Sequence, residues 1–210
     1  MNWWHRLFGT PLPPARPIRA VVLELSGWRE QEAHADMRVW RDEEGDALTV
    51  TSQPMPLPTL ADSVSVQQWS RAIAEASHGG LIESSADPNV LGGSVRLIHK
   101  QLRLPAYLFT GMLFTRNPAF IWTVVGRERG TTGVREAVIT AELLQAGRLT
   151  ITDYEQSWAQ DPYEPTYGGV DRSVLRFRSD DDAYDPRFPN HPLSKVRRVL
   201  AALPEAVHLS

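Results

Sequence analysis

Between residues 80 and 127 four apolar, strand-like runs follow one another with a breaker at each junction, and this stretch limits most strongly what the chain can become. The runs cover residues 80–86, 93–104, 105–115 and 119–127. Asp87-Pro88-Asn89, Pro105 and Asn117-Pro118 separate them, which is the rhythm of an antiparallel meander. In 107–114 and 120–125 both alternating faces carry apolar or aromatic side chains. A sheet with one wet face would leave half of that surface in water, so the central strands are expected to be covered on both sides.

The flanks supply the covers. Residues 18–25 read as a strand, and 37–41 and 47–53 as two more, joined in a hairpin by Asp42-Glu43-Glu44-Gly45-Asp46. Pro54, Pro56 and Pro58 end that pattern. Asp62, Ser63 and Ser65 then offer caps to a helix with Val66, Trp69, Ile73 and Ala76 on one stripe, which His78-Gly79-Gly80 closes. A second helix carries Val134, Ala137, Val138, Ala141 and Leu144 at helical spacing, with Gly147 placed to end it. Residues 149–154 are expected to form a strand, 161–169 a surface loop, and 174–177 a short strand. Pro192 suits the first turn of a last helix whose Leu193, Val196, Val199, Leu200 and Leu203 form one apolar stripe. The expected fold is α+β, a twisted antiparallel sheet flanked by helices. Three regions follow: an aromatic segment and proline-rich linker at 1–17, an α/β core at 18–148, and a C-terminal extension at 149–210.

Composition narrows the function classes. The 210 residues carry 22 Lys+Arg against 25 Asp+Glu, so a nucleic-acid partner is not expected. Arginine outnumbers lysine 20 to 2, yet no basic run reaches the length of a binding patch. With no cysteine, the chain has no disulfide framework, cysteine nucleophile or Cys-containing zinc site. No window is apolar enough to span a membrane, and Met1–Phe8 does not read as a signal peptide. The expectation is therefore a cytoplasmic protein.

The usual catalytic motifs are missing: no phosphate loop, no dinucleotide fingerprint, no His-Glu-x-x-His, no nucleophile elbow. Gly92-Gly93-Ser94 is a turn. Asp180, Asp181, Asp182 and Asp185 with His191 make the most suggestive metal-ligand set, but they lack the EF-hand pattern and read instead as a solvated acidic loop capping the last helix. Neither a metal nor another cofactor is expected. Glu155, Asp161 and Glu164 lie near Trp158, Tyr163 and Tyr167, a mixture that would suit a sugar or peptide groove. A hydrolase or carbohydrate-active protein would draw on Asp153, Glu155, Asp161, Asp185 and His191.

Aromatic side chains point instead to a protein partner. Trp3, Trp4, Leu7 and Phe8 can form an apolar face behind a semi-rigid spacer, docking on a partner, on a membrane surface or on their own domain. Trp158, Tyr163 and Tyr167 are the other expected contact residues, being of types enriched at interfaces.

Trp28 before the first hairpin, the helix at 65–77, Gly92-Gly93 opening the meander and the strand ending at Val125 are arranged in an order that resembles the PsbP-like and DcrB-like α/β sandwich superfamily. The resemblance covers residues 18–146. It implies a binding module, an assembly subunit, adaptor or chaperone in a bacterial assembly or secretion-related system, and it carries over no catalytic residue.

Overall fold

The computed structural model describes residues 18–52 and 55–209, so the expectations for the aromatic segment and its linker lie outside the described residues. The fold is mixed α+β. Among the described residues the strands are β1 (Val21–Leu23), β2 (Arg29–Ala33), β3 (Met37–Arg41), β4 (Ala47–Thr51), β5 (Gly80–Asp87), β6 (Ser94–Arg103), β7 (Ala106–Thr115), β8 (Ile121–Arg127), β9 (Ala159–Gln160), β10 (Arg176–Phe177) and β11 (Val207–Leu209). The helices are α1 (Ser63–Ala76), α2 (Val134–Gln145), α3 (Ile151–Ser157) and α4 (Pro192–Ala206). Seven strands form one antiparallel sheet in the order β2-β3-β4-β8-β7-β6-β5. The four-run meander is β5–β8, which runs from the edge strand β5 to β8 and is closed onto the first hairpin where β4 pairs with β8.

Both faces of the sheet are covered, as the doubly apolar strands require. On one face Leu193, Val196, Val199, Leu200 and Leu203 of α4 pack against Trp40, Leu48, Phe109, Leu113, Trp122 and Val124. On the other, Ile73 and Ala74 of α1 meet Leu81, Leu97, Phe114 and Ile121. Local chemistry starts α1 and α4. The Asp62 carboxylate accepts from the Val64 amide at 3.1 Å, and the His191 imidazole accepts from the Leu193 amide at 3.2 Å while Pro192 fills the first turn of α4.

Gly111 sets how close α4 can come. A methyl group there would stand 2.5 Å from Val196 Cγ1 and 2.7 Å from Leu200 Cδ1. Gly111→Ala is expected to lower stability by about 1–3 kcal/mol through overpacking. Urea unfolding checks it, and an unchanged midpoint would contradict this seat for α4.

Three local expectations are corrected, and one strand was not foreseen. Residues 149–154 do not form a strand: Gly147, at φ +65°, ends α2, and the Tyr154 amide donates to the Thr150 carbonyl to begin α3. The consecutive β-branched residues Thr150, Ile151 and Thr152 suggest a strand, but among the described side chains of this stretch only Leu149 enters the core, and Ile151 stays 74% exposed. The run 18–25 is a 3-10 turn followed by β1, which pairs with β11 outside the main sheet. Strand β2 was not legible because all five of its residues, Arg-Glu-Gln-Glu-Ala, are exposed and no apolar face marks it. The segment 174–177 divides between a 3-10 turn, Arg172–Val174, and β10.

The extension beyond residue 148 is built into the body. Leu149, Trp158, Ala159, Leu175 and Phe177 share a core cluster with Ile139 and Leu143 of α2.

Candidate functional site

The most unusual chemistry lies where β6, β7, α2 and the 177–191 segment converge. Lys100 projects from β6 on the α4 face and is 1% exposed. Its ammonium donates to Asp180 Oδ2 at 2.7 Å and sits 3.2 Å above the Phe177 ring, with Tyr107 on another side at 5.2 Å. Burial pushes the Lys100 pKa down, and the Asp180 carboxylate opposes that shift. Burial likewise raises Glu136, whose Oε1 accepts from the Trp158 indole at 3.3 Å. The Tyr107 phenol is pushed up to about 12 by burial and by the nearby carboxylates, Glu136 first.

Glu128 and His191 close the other side. Burial acts to raise Glu128, yet the His191 ring and the Gly133 and Tyr107 amides hold its carboxylate below the ordinary range. His191 Nε2 stands 3.6 Å from Glu128, and Nδ1 accepts the Leu193 amide. Nδ1 is thus occupied by the helix that His191 caps, while Nε2 faces the Glu128 carboxylate. The space enclosed by the cluster is about 10 Å³, room for one water at most.

The acidic segment differs from the solvated loop expected of it. Asp180 is buried against Lys100 and also accepts the Phe177 amide at 2.8 Å. Asp185 accepts from Arg135 at 2.8 Å, from Arg197 at 3.0 Å and from the Ser194 hydroxyl. Arg135 and Arg197 also donate to the carbonyls of Ser179, Asp181 and Asp180. Charge in an apolar interior must be matched, and these three cations draw the acidic segment inward. His191 and not an acid caps the last helix. No group of three or more metal-ligating side chains occurs among the described residues.

The expected contact residues fall differently from one another. Trp158 is 3% exposed, stacked between Tyr154 and Phe177, so the expectation that it stands at the surface is corrected. Tyr163 is exposed in part, but its hydroxyl donates to the Ser84 carbonyl at 2.9 Å and accepts the Ser84 amide at 2.7 Å. One phenol thus occupies both backbone groups on the outer edge of β5. The Tyr167 ring lies 4.6 Å from the Arg71 guanidinium and its hydroxyl bonds Glu75, and burial followed by that carboxylate pushes its pKa up to about 12. Trp3, Trp4, Leu7 and Phe8 lie outside the described residues.

The carboxylates proposed for hydrolysis are not brought together by their partners. Asp161 is buried and accepts two bonds from Arg71 of α1, at 2.9 and 3.0 Å, which also holds Glu164 at 3.1 Å. Asp185 is bound on the α4 side, and the side chains of Asp153 and Glu155 lie outside the described ones. What the sequence did not single out is Lys100, Tyr107, Glu128 and Arg135. The available signal was a lysine inside an apolar strand, one of only two lysines in the chain.

Apolar exposure is concentrated elsewhere. Of the ten large apolar side chains exposed among the described residues, seven belong to three adjoining elements: Leu102 and Leu104 at the β6–β7 turn, Val134, Val138 and Leu144 on α2, and Ile151 and Tyr154 on α3. Leu104 is 82% exposed. The Thr132 hydroxyl donates to the Pro105 carbonyl at 3.3 Å and joins the turn to the start of α2, while the Arg148 and Leu149 amides return to Leu143 and join α2 to α3. No helix among the described residues is long and apolar enough to cross a membrane. No protein-family model, curated protein or solved structure was found that matches this chain.

Proposed function

We propose that this chain is a protein-binding adaptor or chaperone-like domain of a bacterial cytoplasmic system, and that it holds its partner by an apolar contact without catalysing a reaction. The observation that carries this reading is the gathering of seven exposed apolar side chains on the β6–β7 turn, α2 and α3. Exposed apolar side chains gathered on a few elements point to a recognition surface, whereas single exposed residues are ordinary. Recognition thus moves from Trp158, Tyr163 and Tyr167, whose polar tips are engaged within the fold, to Leu104, Val134, Val138 and Ile151. The element order that resembles the PsbP-like and DcrB-like sandwich supports the same class of function.

The test compares three immobilised proteins in native lysate: the wild type, a Leu104→Asp/Ile151→Asp variant, and a Val64→Asp control on α1. A charge placed in a desolvated apolar contact weakens binding strongly, so recovery of the partner is expected to fall at least tenfold for the double variant and to be unchanged for the control. Equal recovery by all three, or recovery by none, would remove this reading.

A further inference from the structure

A cleft of about 630 Å³ opens on the α4 face at the β5–β6 end of the sheet, and none of the seven exposed apolar side chains lines it. Its floor is Glu83 and Ser85 of β5 with Arg96 of β6, one wall is Arg197, Arg198 and Ala201 of α4, and the other is Asp182, Asp185, Pro186 and Pro189. Strand register places Ser85 opposite Arg96.

The charges here divide into spent and unspent ones. Glu83 and Asp185 are both taken by Arg197, at 2.8 and 3.0 Å. Among the described residues the Arg96 guanidinium has no hydrogen-bond or ion-pair partner, and the Arg198 guanidinium donates only to the Pro189 carbonyl at 3.2 Å. Against these two guanidinium groups stands one carboxylate without a partner, Asp182, which is exposed. The cleft therefore keeps a surplus of unspent positive charge beside the Ser85 hydroxyl and an apolar strip formed by Pro186, Pro189 and Ala201.

We propose that this cleft binds a small organic oxyanion, a carboxylate or phosphate carried on an apolar body, with Arg96 and Arg198 holding the oxyanion and the proline strip holding the body. A guanidinium fork matches both oxyanions, and the volume falls in the range of small-molecule sites. This site is separate from the protein-binding surface, so the two proposals stand or fall independently.

Phenyl phosphate, benzoate, inorganic phosphate and benzyl alcohol are titrated into the full-length protein, read by amide chemical shifts and by melting temperature. Saturable shifts are expected at Ser85, Arg96 and Ala201 for phenyl phosphate or benzoate, the tighter of the two identifying the oxyanion. A rise of about 3–6 °C is expected at ten times Kd. Arg96→Gln and Arg198→Gln should each raise Kd about tenfold or more, and Arg96→Lys should recover part of the loss. Exposed Arg198 carries the test if Arg96→Gln does not fold. Absence of saturable shifts at 10 mM, equal Kd in wild type and Arg198→Gln, or equal binding of benzyl alcohol would overturn the oxyanion site. Inorganic phosphate binding as tightly as phenyl phosphate would overturn the apolar half of it.

Discussion

Lys100→Met is expected to destabilise the protein by about 3–5 kcal/mol, because it removes the ammonium and leaves the Asp180 carboxylate buried without its cation. The second variant is more informative than the first. In Lys100→Met/Asp180→Asn no charge is stranded, and the asparagine oxygen can still accept the Phe177 amide that Asp180 now accepts. The double variant is therefore expected to regain at least half of the loss, a coupling characteristic of a buried pair and foreign to a surface one. Urea unfolding of the four proteins in the cycle gives the answer. Strictly additive losses would mean that Lys100 and Asp180 do not act as a pair.

The second large effect depends on pH. His99, next along β6 but facing α1, is 2% exposed, and its Nδ1 has no hydrogen-bond partner among the described residues. Burial lowers its pKa from 6.5 to about 4. Between those values the unfolded chain binds a proton that the folded one refuses, so this stability is complete above pH 6.5 and is lost as pH falls toward 4. The loss through this one group is about 3 kcal/mol. Carboxylates titrate in the same range, and the comparison with His99→Leu isolates the histidine: the variant should show a shallower decline between pH 7 and 4.5, by about 2 kcal/mol. Parallel curves would place the proton elsewhere.

How much of this was legible in the sequence follows from what each residue signals locally. The meander, the first hairpin, α1, α2 and α4 were readable because their apolar residues repeat with the period of the element and their ends carry Asp62, Gly147 or Pro192. Strand β2 escaped because both its faces are wet. The interior role of Asp180 and Asp185 escaped because a run of aspartates looks solvated until its partners are known, and Lys100, Arg135 and Arg197 come from three distant parts of the chain. The same holds for Tyr163, whose partner on the edge of β5 lies 79 residues earlier. Short-range pattern marks elements; long-range pairing decides which polar groups remain free for a ligand or partner.

Phe177, Ser179 and Asp180 belong to the interior, and Lys100, Arg135 and Arg197 clamp the segment that carries them, so recognition is left to the surfaces those charges do not use. Native-state hydrogen exchange at the Phe177 and Arg178 amides tests it most directly, since the first donates to buried Asp180 and the second to the Trp158 carbonyl at 3.0 Å. Opening free energies close to those of the β6 and β7 amides are predicted. Exchange at the rate of an exposed loop would contradict the clamp and return the acidic segment to the solvent.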